Sequence, residues 1–150
     1  MKKFRVALML LLLLYCFLLA QILVLKNLPV VRFAGLILNL GGTQNGPANL
    51  IPFRSILPYV LGERGLLSAI LNLGGNIGLL IPIGFMVPFL RSKISWPEMF
   101  FLSFISGFSI ELTQAVFRLG IFDVDDLLLN GLGVLVGYAL FRAFIHRVTS

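Results

Sequence analysis

Four long hydrophobic runs, separated by short polar or basic stretches, dominate the pattern of the chain. They cover residues 4–25, 65–90, 97–117 and 127–145. A helix needs roughly 20 apolar residues to cross the hydrocarbon core of a bilayer, and each run is close to that length. The pattern therefore predicts an all-α integral membrane protein with about four transmembrane helices.

The first run differs from a cleaved signal peptide, which has an apolar core of about 7–15 residues followed by small residues. Here the apolar stretch continues to residue 25 without such a site. The residues before Cys16, "LLLY", also lack the small side chains of a lipoprotein cleavage site. We expect residues 4–25 to remain as an additional N-terminal transmembrane helix.

Small or rigid residues mark how two of the other runs pack. The second run is interrupted by Gly74, Gly75, Gly78 and Pro82. Such residues predict a kinked helix whose bare backbone lies close to a neighbour. The last run contains Gly133 and Gly137, whose spacing also favours tight helix packing.

The third run begins with a recognisable start signal. Ser95 and Glu98 have the spacing of a capping box, and Trp96 between them is a residue typical of the membrane interface. This stretch therefore predicts a helix that starts where the bilayer meets water.

Composition supports a membrane protein of one domain, residues 1–150. Hydrophobic residues make up 59% of the chain and charged residues 12%. Soluble domains have an apolar share of roughly 45–50%. The mean hydropathy of +1.02 points the same way. With a single cysteine, Cys16, the chain can form neither an internal disulfide nor a cysteine metal site.

The net charge of +6 indicates orientation rather than nucleic-acid binding, which would need the cations on one polar face. Most basic residues instead flank the apolar runs: Lys2, Lys3, Arg5, Arg91, Lys93, Arg142 and Arg147. Positive residues stay in the cytoplasm, so we expect both termini there. Residues 26–64 and 118–126 then face the outside.

The long first loop has its own apolar pieces, "FAGLILNL" and "LIPFRSILPYVLG". We expect part of it to lie along the membrane or dip into it. It also carries Lys26, Arg32, Arg54 and Arg64 on the predicted outer side, a distribution that long loops tolerate.

The acidic residues are concentrated in one place. The chain has Asp+Glu 6, and four of these, Glu111, Asp123, Asp125 and Asp126, lie between the last two runs. On predicted helices, Glu111, Gln114 and Arg118 share one face, because they are spaced i, i+3, i+7. Asp123, Asp126 and Asn130 repeat that spacing, and Asn72 and Asn76 lie at the same depth in the second run.

Simpler explanations exist for each of these residues. Asp123 or Asp125 is a candidate helix N-cap, and the asparagines are candidates for hydrogen bonds that hold helices together. Glu111 within a span is a functional hypothesis by default, and its structural alternative is an ion pair with Arg118 or Arg54. The only histidine, His146, lies at the predicted cytoplasmic end, which excludes a Ser-His-Asp or histidine zinc site at the cluster.

Three motifs give the chain a resemblance to a known family. They are "NLIPF" at residues 49–53, "NIGLLIPIGFMVP" at 76–88 and "IELTQAVFRLGIFDVDDLLLNGLGVLVGY" at 110–138. In this order they resemble the VanZ-like family, over roughly residues 45–140. One departure is Gly131, where that family often has Thr, so a hydroxyl contact beside Asn130 is not expected.

The resemblance implies a small multi-pass protein of the bacterial plasma membrane, in a family named for a factor that lowers susceptibility to the glycopeptide teicoplanin. It implies membrane lipids as partners, and the placement of the basic residues already argues against nucleic acid. Its characteristic polar residues, carried over by position, are Asn49, Asn76, Glu111, Gln114, Arg118, Asp123, Asp125, Asp126 and Asn130.

Three hypotheses follow for this cluster. The first is binding of a lipid-linked cell-wall precursor or a lipoglycopeptide, by Asn49, Arg54, Asn76, Glu111, Gln114, Arg118, Asp126 and Asn130, with Arg64 nearby. A divalent cation, Mg²⁺ or Ca²⁺, on Asp123 and Asp126 could bridge to phosphate. The second is a membrane-embedded enzyme with Glu111 as general base and the same metal. The third is a structural scaffold.

Overall fold

The computed structural model describes residues 2–25, 31–33, 36–38, 46–91, 93–117 and 119–149. Four helices in it are long and apolar enough to cross a membrane: Lys3–Ile22, Leu66–Leu90, Trp96–Val116 and Val124–Arg147. They fall where the four hydrophobic runs lie. The number and position of the predicted spans are therefore confirmed.

The first span is helix α1, Lys2–Leu25. Two short strands, β1 (Val31–Phe33) and β2 (Leu36–Leu38), follow as an antiparallel pair in which Val31 lies opposite Leu38. A single helical turn, α2 (Leu57–Val60), comes later in the same connection. The all-α prediction did not include this strand pair, because strands of three residues are too short to give a recognisable sequence pattern.

The second span is built from three pieces. Helix α3 (Leu66–Ala69) passes into a π-helical turn, Ile70–Gly74, and then into α4 (Gly75–Leu90), which contains Pro82 and Pro88. The interruption expected near the glycines is therefore present. These glycines are not the points of close packing, because a Cβ added at Gly74, Gly75 or Gly78 would meet no atom of a neighbouring element within 4 Å; the second span packs closely on the last span further along.

Helix α6 (Val124–Thr149) lies at the centre of the fold, with α4 packed along one side of it and α5 (Trp96–Val116) along another. The backbones of α4 and α6 touch. A Cβ added at Gly137 would lie 2.0 Å from the Ile81 carbonyl oxygen, and one at Gly133 would lie 2.2 Å from the Ile77 oxygen. The tight packing predicted from these two glycines is confirmed.

The core of the bundle consists of side chains from each long helix. Leu80, Met99, Val134 and Tyr138 are buried, and Leu19 of α1 joins them. Elsewhere α1 is mostly exposed, and it is held to α4 by a hydrogen bond from the Tyr15 hydroxyl to the Leu79 carbonyl at 2.6 Å. Exposed apolar side chains on the outer surfaces of these helices suit contact with lipid tails.

Helix α5 starts as the sequence predicts. Glu98 Oε2 accepts hydrogen bonds from the Ser95 N–H and hydroxyl, each at 2.8 Å. Its other oxygen makes an ion pair with Arg91 at 2.5 Å. The capping box is confirmed, and it fixes the turn between α4 and α5.

Candidate functional site at the start of helix α6

The carboxylates gather around the N-terminus of α6, where the antiparallel helix α5 ends. Asp125 is 0% exposed, Glu111 1% and Asp123 9%. A helix N-terminus is the favourable place for these groups, because its first N–H groups have no partner within the helix. The burial shows that the acidic stretch belongs to the packed interior of the fold.

Asp123 is the N-cap of α6. Its Oδ1 accepts a hydrogen bond from the Asp125 N–H at 2.8 Å, and its carbonyl accepts the Leu127 N–H at 3.1 Å. Glu111 of α5 holds the same residue from the other side, since Glu111 Oε2 accepts the Asp123 N–H at 3.0 Å. One acid therefore caps the helix, and a second fixes that cap to α5.

A segment of the first loop, residues 49–56, docks against this helix start; we call it the docked loop. Asn49 and Asp123 form an isolated parallel bridge. The Asn49 N–H donates to the Phe122 carbonyl at 2.8 Å, and the Val124 N–H donates to the Asn49 carbonyl at 3.0 Å. Asn49 Nδ2 also donates to Asp123 Oδ1 at 2.9 Å. Backbone hydrogen bonds therefore join the docked loop to the residues at the start of α6.

Asp125 fastens the rest of the docked loop. Its two oxygens accept three backbone N–H groups: that of Phe53, that of Ser55 at 2.6 Å and that of Ile56 at 3.2 Å. The Ser55 hydroxyl in turn donates to Asp123 Oδ2. Hydrogen bonds to a charged acceptor are about twice as strong as neutral ones. The three hydrogen bonds therefore offset the free energy that the Asp125 carboxylate loses when it is buried away from water.

Phe53 adopts an uncommon backbone conformation within this clamp. Its φ of 67° lies in the left-handed region, which a bulky side chain rarely occupies. The Phe53 ring is 62% exposed, so packing of the ring does not explain the conformation. Such strain is typical of ligand clamps and other functional loops. Here it holds the N–H of Phe53 toward Asp125 and the ring outward.

The second span contributes one of its two predicted asparagines. Asn76, 7% exposed, donates from Nδ2 to Asp126 Oδ1 at 2.6 Å. Asn72 does not join the cluster as expected, because its Nδ2 donates to the Ser68 carbonyl of its own helix at 2.8 Å. Asn72 lies in the π-helical turn Ile70–Gly74. It is therefore not related to Asn76 by the regular i, i+4 spacing of an α-helix.

Two amides in the cluster differ from the rest. Gln114 and Asn130 are only 8% and 4% exposed, yet neither side chain makes a hydrogen bond within the part of the chain that the structure describes. In that part, every side-chain N or O atom fully cut off from solvent has a partner. The amide ends of these two residues are therefore not fully cut off from solvent.

The predicted arginines are not part of the buried cluster. Arg54 is exposed and forms no ion pair among the described residues, so the alternative of a Glu111–Arg54 pair is not seen. Arg64 stands over the Tyr59 ring, with its guanidinium carbon 5.7 Å from the ring centre. Arg118 lies outside the described residues, and its predicted role stays a prediction.

The metal hypothesis also stays a prediction. Among the described residues, no group of three or more His, Cys, Asp or Glu side chains is arranged to hold an ion. Both oxygens of Asp123 already accept hydrogen bonds, from Asn49, Ser55 and the Asp125 N–H. A cation at Asp123 and Asp126 would have to compete with these donors.

Sequence reasoning missed the docked loop as a partner of the acids. Ser55 and the backbone of Phe53 bind aspartates about 70 residues further along the chain. Periodicity relates residues only within one helix or strand. The "NLIPF" motif was the available signal, because Asn49 within it proves to be the first contact.

Comparison with known proteins identifies the family of the chain. The profile of the family described as VanZ/LLP1 matches residues 6–146. The match extends beyond the motif range of residues 45–140 and takes in most of α1. No curated protein and no solved structure matches the chain. Four membrane-spanning helices and a match over nearly the whole length show that the chain belongs to the VanZ/LLP1 family.

Proposed function

We propose that this protein is a multi-pass protein of the bacterial plasma membrane that binds a lipid-linked, sugar-bearing envelope molecule, or a lipoglycopeptide, at the outer face. Through that binding it contributes to glycopeptide (teicoplanin) resistance. The observation that carries the proposal is the pair of buried amides, Gln114 and Asn130, that have no hydrogen bond in the described structure. Amide groups that lie in a nearly buried position, make no hydrogen bond within the described residues and remain open to solvent are available to a polar ligand.

We infer that the two amide ends face one gap beside the carboxylates, and the chemistry around that gap favours a polyhydroxylated group. Amide groups both donate and accept hydrogen bonds, and carboxylates accept them. Sugar hydroxyls can use all of these at once, whereas a phosphate would be repelled by Glu111 and Asp126. A phosphate is better placed at the exposed Arg54, whose planar guanidinium suits bidentate contact. We therefore place the sugar in the gap and the phosphate on the rim.

The docked loop offers an apolar surface to a lipid tail. Leu50, Ile51 and Phe53 are 69%, 58% and 62% exposed, although each is strongly hydrophobic. Exposed apolar patches of this kind mark contact with membranes or apolar ligands. With the loop fixed by Asp125, these side chains lie beside Arg54 in the chain. The head group of an amphiphile could thus enter the gap past the docked loop while its tail remains in the bilayer.

A structural role is the second candidate, and the clamp on Asp125 favours it. A carboxylate that accepts three backbone N–H groups already has a sufficient reason to be there. On that view the cluster only joins the docked loop, α5 and α6. An enzymatic role, with Glu111 as base and Mg²⁺ or Ca²⁺ on Asp123 and Asp126, stays a prediction.

Substitution of the two amides separates binding from scaffolding. Gln114→Leu and Asn130→Leu remove polar groups that hold no hydrogen bond in the described structure, so we expect folding to be kept. In a susceptible Gram-positive host, teicoplanin susceptibility and membrane abundance are measured together. Binding predicts resistance lost at unchanged abundance. Resistance equal to wild type in both variants would leave scaffolding as the better account.

Purified protein then tests the ligand. We compare a polyprenyl pyrophosphate that carries the cell-wall disaccharide with the bare polyprenyl pyrophosphate. Gln114→Leu should weaken binding of the sugar-bearing lipid by about tenfold, the effect of one or two lost hydrogen bonds, and leave the bare lipid unchanged. Arg54→Gln should weaken both. Equal weakening of both lipids by Gln114→Leu would contradict the placement of the sugar.

A further inference from the structure

A second cavity lies at the opposite end of the bundle from the carboxylates. Its volume is about 540 Å³, and its walls include Phe89, Phe141 and Ile145. Arg142 of α6 also lines it, 16 residues after Asp126, or about 24 Å along the helix at 1.5 Å per residue. The Phe4 ring contacts Phe89 with their centres 6.5 Å apart. The start of the chain is therefore at this end too.

The polar side of this cavity is built from Tyr138 and Arg142. The Tyr138 hydroxyl donates to the Ile94 carbonyl at 2.8 Å, which fixes the ring. Arg142 Nη1 donates to that hydroxyl oxygen at 3.4 Å, and its guanidinium carbon lies 6.0 Å from the ring centre. The cation is thus held at the mouth of an apolar cavity by an aromatic side chain.

Arg142 has no acidic partner in the part of the chain that the structure describes. The neighbouring Glu98 is already paired with Arg91 at 2.5 Å. Lys93 and Arg147 are exposed near the same end, so the local charge is positive. Arg142 is itself exposed and lies one to two turns from the end of the span Val124–Arg147. A long cationic side chain so close to a helix end can extend toward the lipid head groups.

We propose that this cavity binds an anionic glycerophospholipid. The lipid phosphate contacts the Arg142 guanidinium, and one acyl chain lies against Phe89, Phe141 and Ile145. Charge complementarity favours an anionic lipid, because the cation at the mouth of the cavity has no acidic partner among the described residues and the interior is apolar. The volume is in the range of ligand cavities. The proposal is independent of the gap beside Gln114 and Asn130.

Trp96 allows a direct test, because it is the only tryptophan and its ring packs against Tyr138 with centres 4.7 Å apart. The protein is reconstituted in phosphatidylcholine vesicles that contain a small fraction of phosphatidylglycerol with brominated acyl chains. Bromine near the cavity quenches Trp96 fluorescence. Brominated phosphatidylcholine with the same chains is the reference lipid. We expect phosphatidylglycerol to bind about fivefold more tightly, the value of one cation near the membrane surface.

Matched variants assign the preference to one residue. Arg142→Gln should reduce the ratio of the affinity for phosphatidylglycerol to that for phosphatidylcholine to near one. Arg142→Lys keeps the charge and should keep most of the preference for phosphatidylglycerol. Arg147→Gln removes an exposed cation of the same helix that does not line the cavity, and should leave the ratio unchanged. Equal binding of the two lipids by wild type would overturn the proposal. So would a loss as large in Arg147→Gln as in Arg142→Gln.

Discussion

Asp125 shows how a single buried charge can organise a loop. It has no exposed surface, and all of its described hydrogen-bond donors are backbone N–H groups of the docked loop. The carboxylate compensates for the water it has lost only while the loop stays in place. The loop in turn adopts a positive φ at Phe53 to supply these donors. The aspartate and the loop conformation therefore depend on each other.

Asp125→Asn should release the docked loop. The new amide group would point an N–H at a backbone N–H, so at least one charge-assisted hydrogen bond is lost and one donor is left unpaired. We expect the free energy of unfolding in detergent micelles to fall by about 3 kcal/mol. Trypsin should also cut faster after Arg54, inside the loop, while cutting after Arg64 changes less.

The control for this variant is Glu63→Gln, which neutralises an exposed acid outside the cluster. It should change the free energy of unfolding by no more than about 0.5 kcal/mol. An Asp125→Asn protein as stable as this control, with unchanged cleavage after Arg54, would show that the clamp contributes little in solution.

The contact between α4 and α6 depends on the absence of side chains. At Gly137 and Gly133 the carbonyl oxygens of Ile81 and Ile77 occupy the space that a Cβ would need. In lipid the hydrophobic effect gives little driving force for helix association, so the van der Waals contacts of closely packed backbones hold such helices together. This contact also sets the depth at which Asn76 meets Asp126. Helix packing and the candidate site are therefore linked.

Gly137→Ala and Gly78→Ala form a matched pair on these two helices. The added Cβ at Gly137 would lie 2.0 Å from the Ile81 oxygen, so the helices must separate; we expect a loss of about 2 kcal/mol or more. At Gly78 nothing lies within 4 Å, and alanine should be neutral or stabilise by up to about 1 kcal/mol. Unfolding in detergent measures both. Equal effects would mean that the contact is not close in solution.

The helices could be predicted because their signals are local. Each span is a continuous apolar run, and the capping box at Ser95 and Glu98 is complete within four residues. Gly78 was misjudged because a glycine shows that the backbone is bare but not that a neighbour is present. The role of Asp125 was missed because its partners lie about 70 residues away, and no local rule pairs them.

The whole molecule has two chemically different ends. The start of α6 has buried carboxylates and amides, and the other end has Arg142 beside an aromatic cavity. If the positive-inside rule applies to the basic residues flanking the spans, the carboxylates face outward and Arg142 faces the anionic lipids of the cytoplasmic leaflet. Both proposals would then concern lipids, but in opposite leaflets.

Orientation is the last prediction, and cysteine labelling measures it. In a Cys16→Ser background, Glu63→Cys and Lys93→Cys each place one thiol at an exposed position on opposite sides of the second span. A membrane-impermeant maleimide should label Glu63→Cys in intact cells, and Lys93→Cys only after permeabilisation, which serves as the control for reactivity. The reverse result would place the carboxylates in the cytoplasm. It would remove the outer-face function while leaving the helix packing and the lipid preference of Arg142 to be tested on their own.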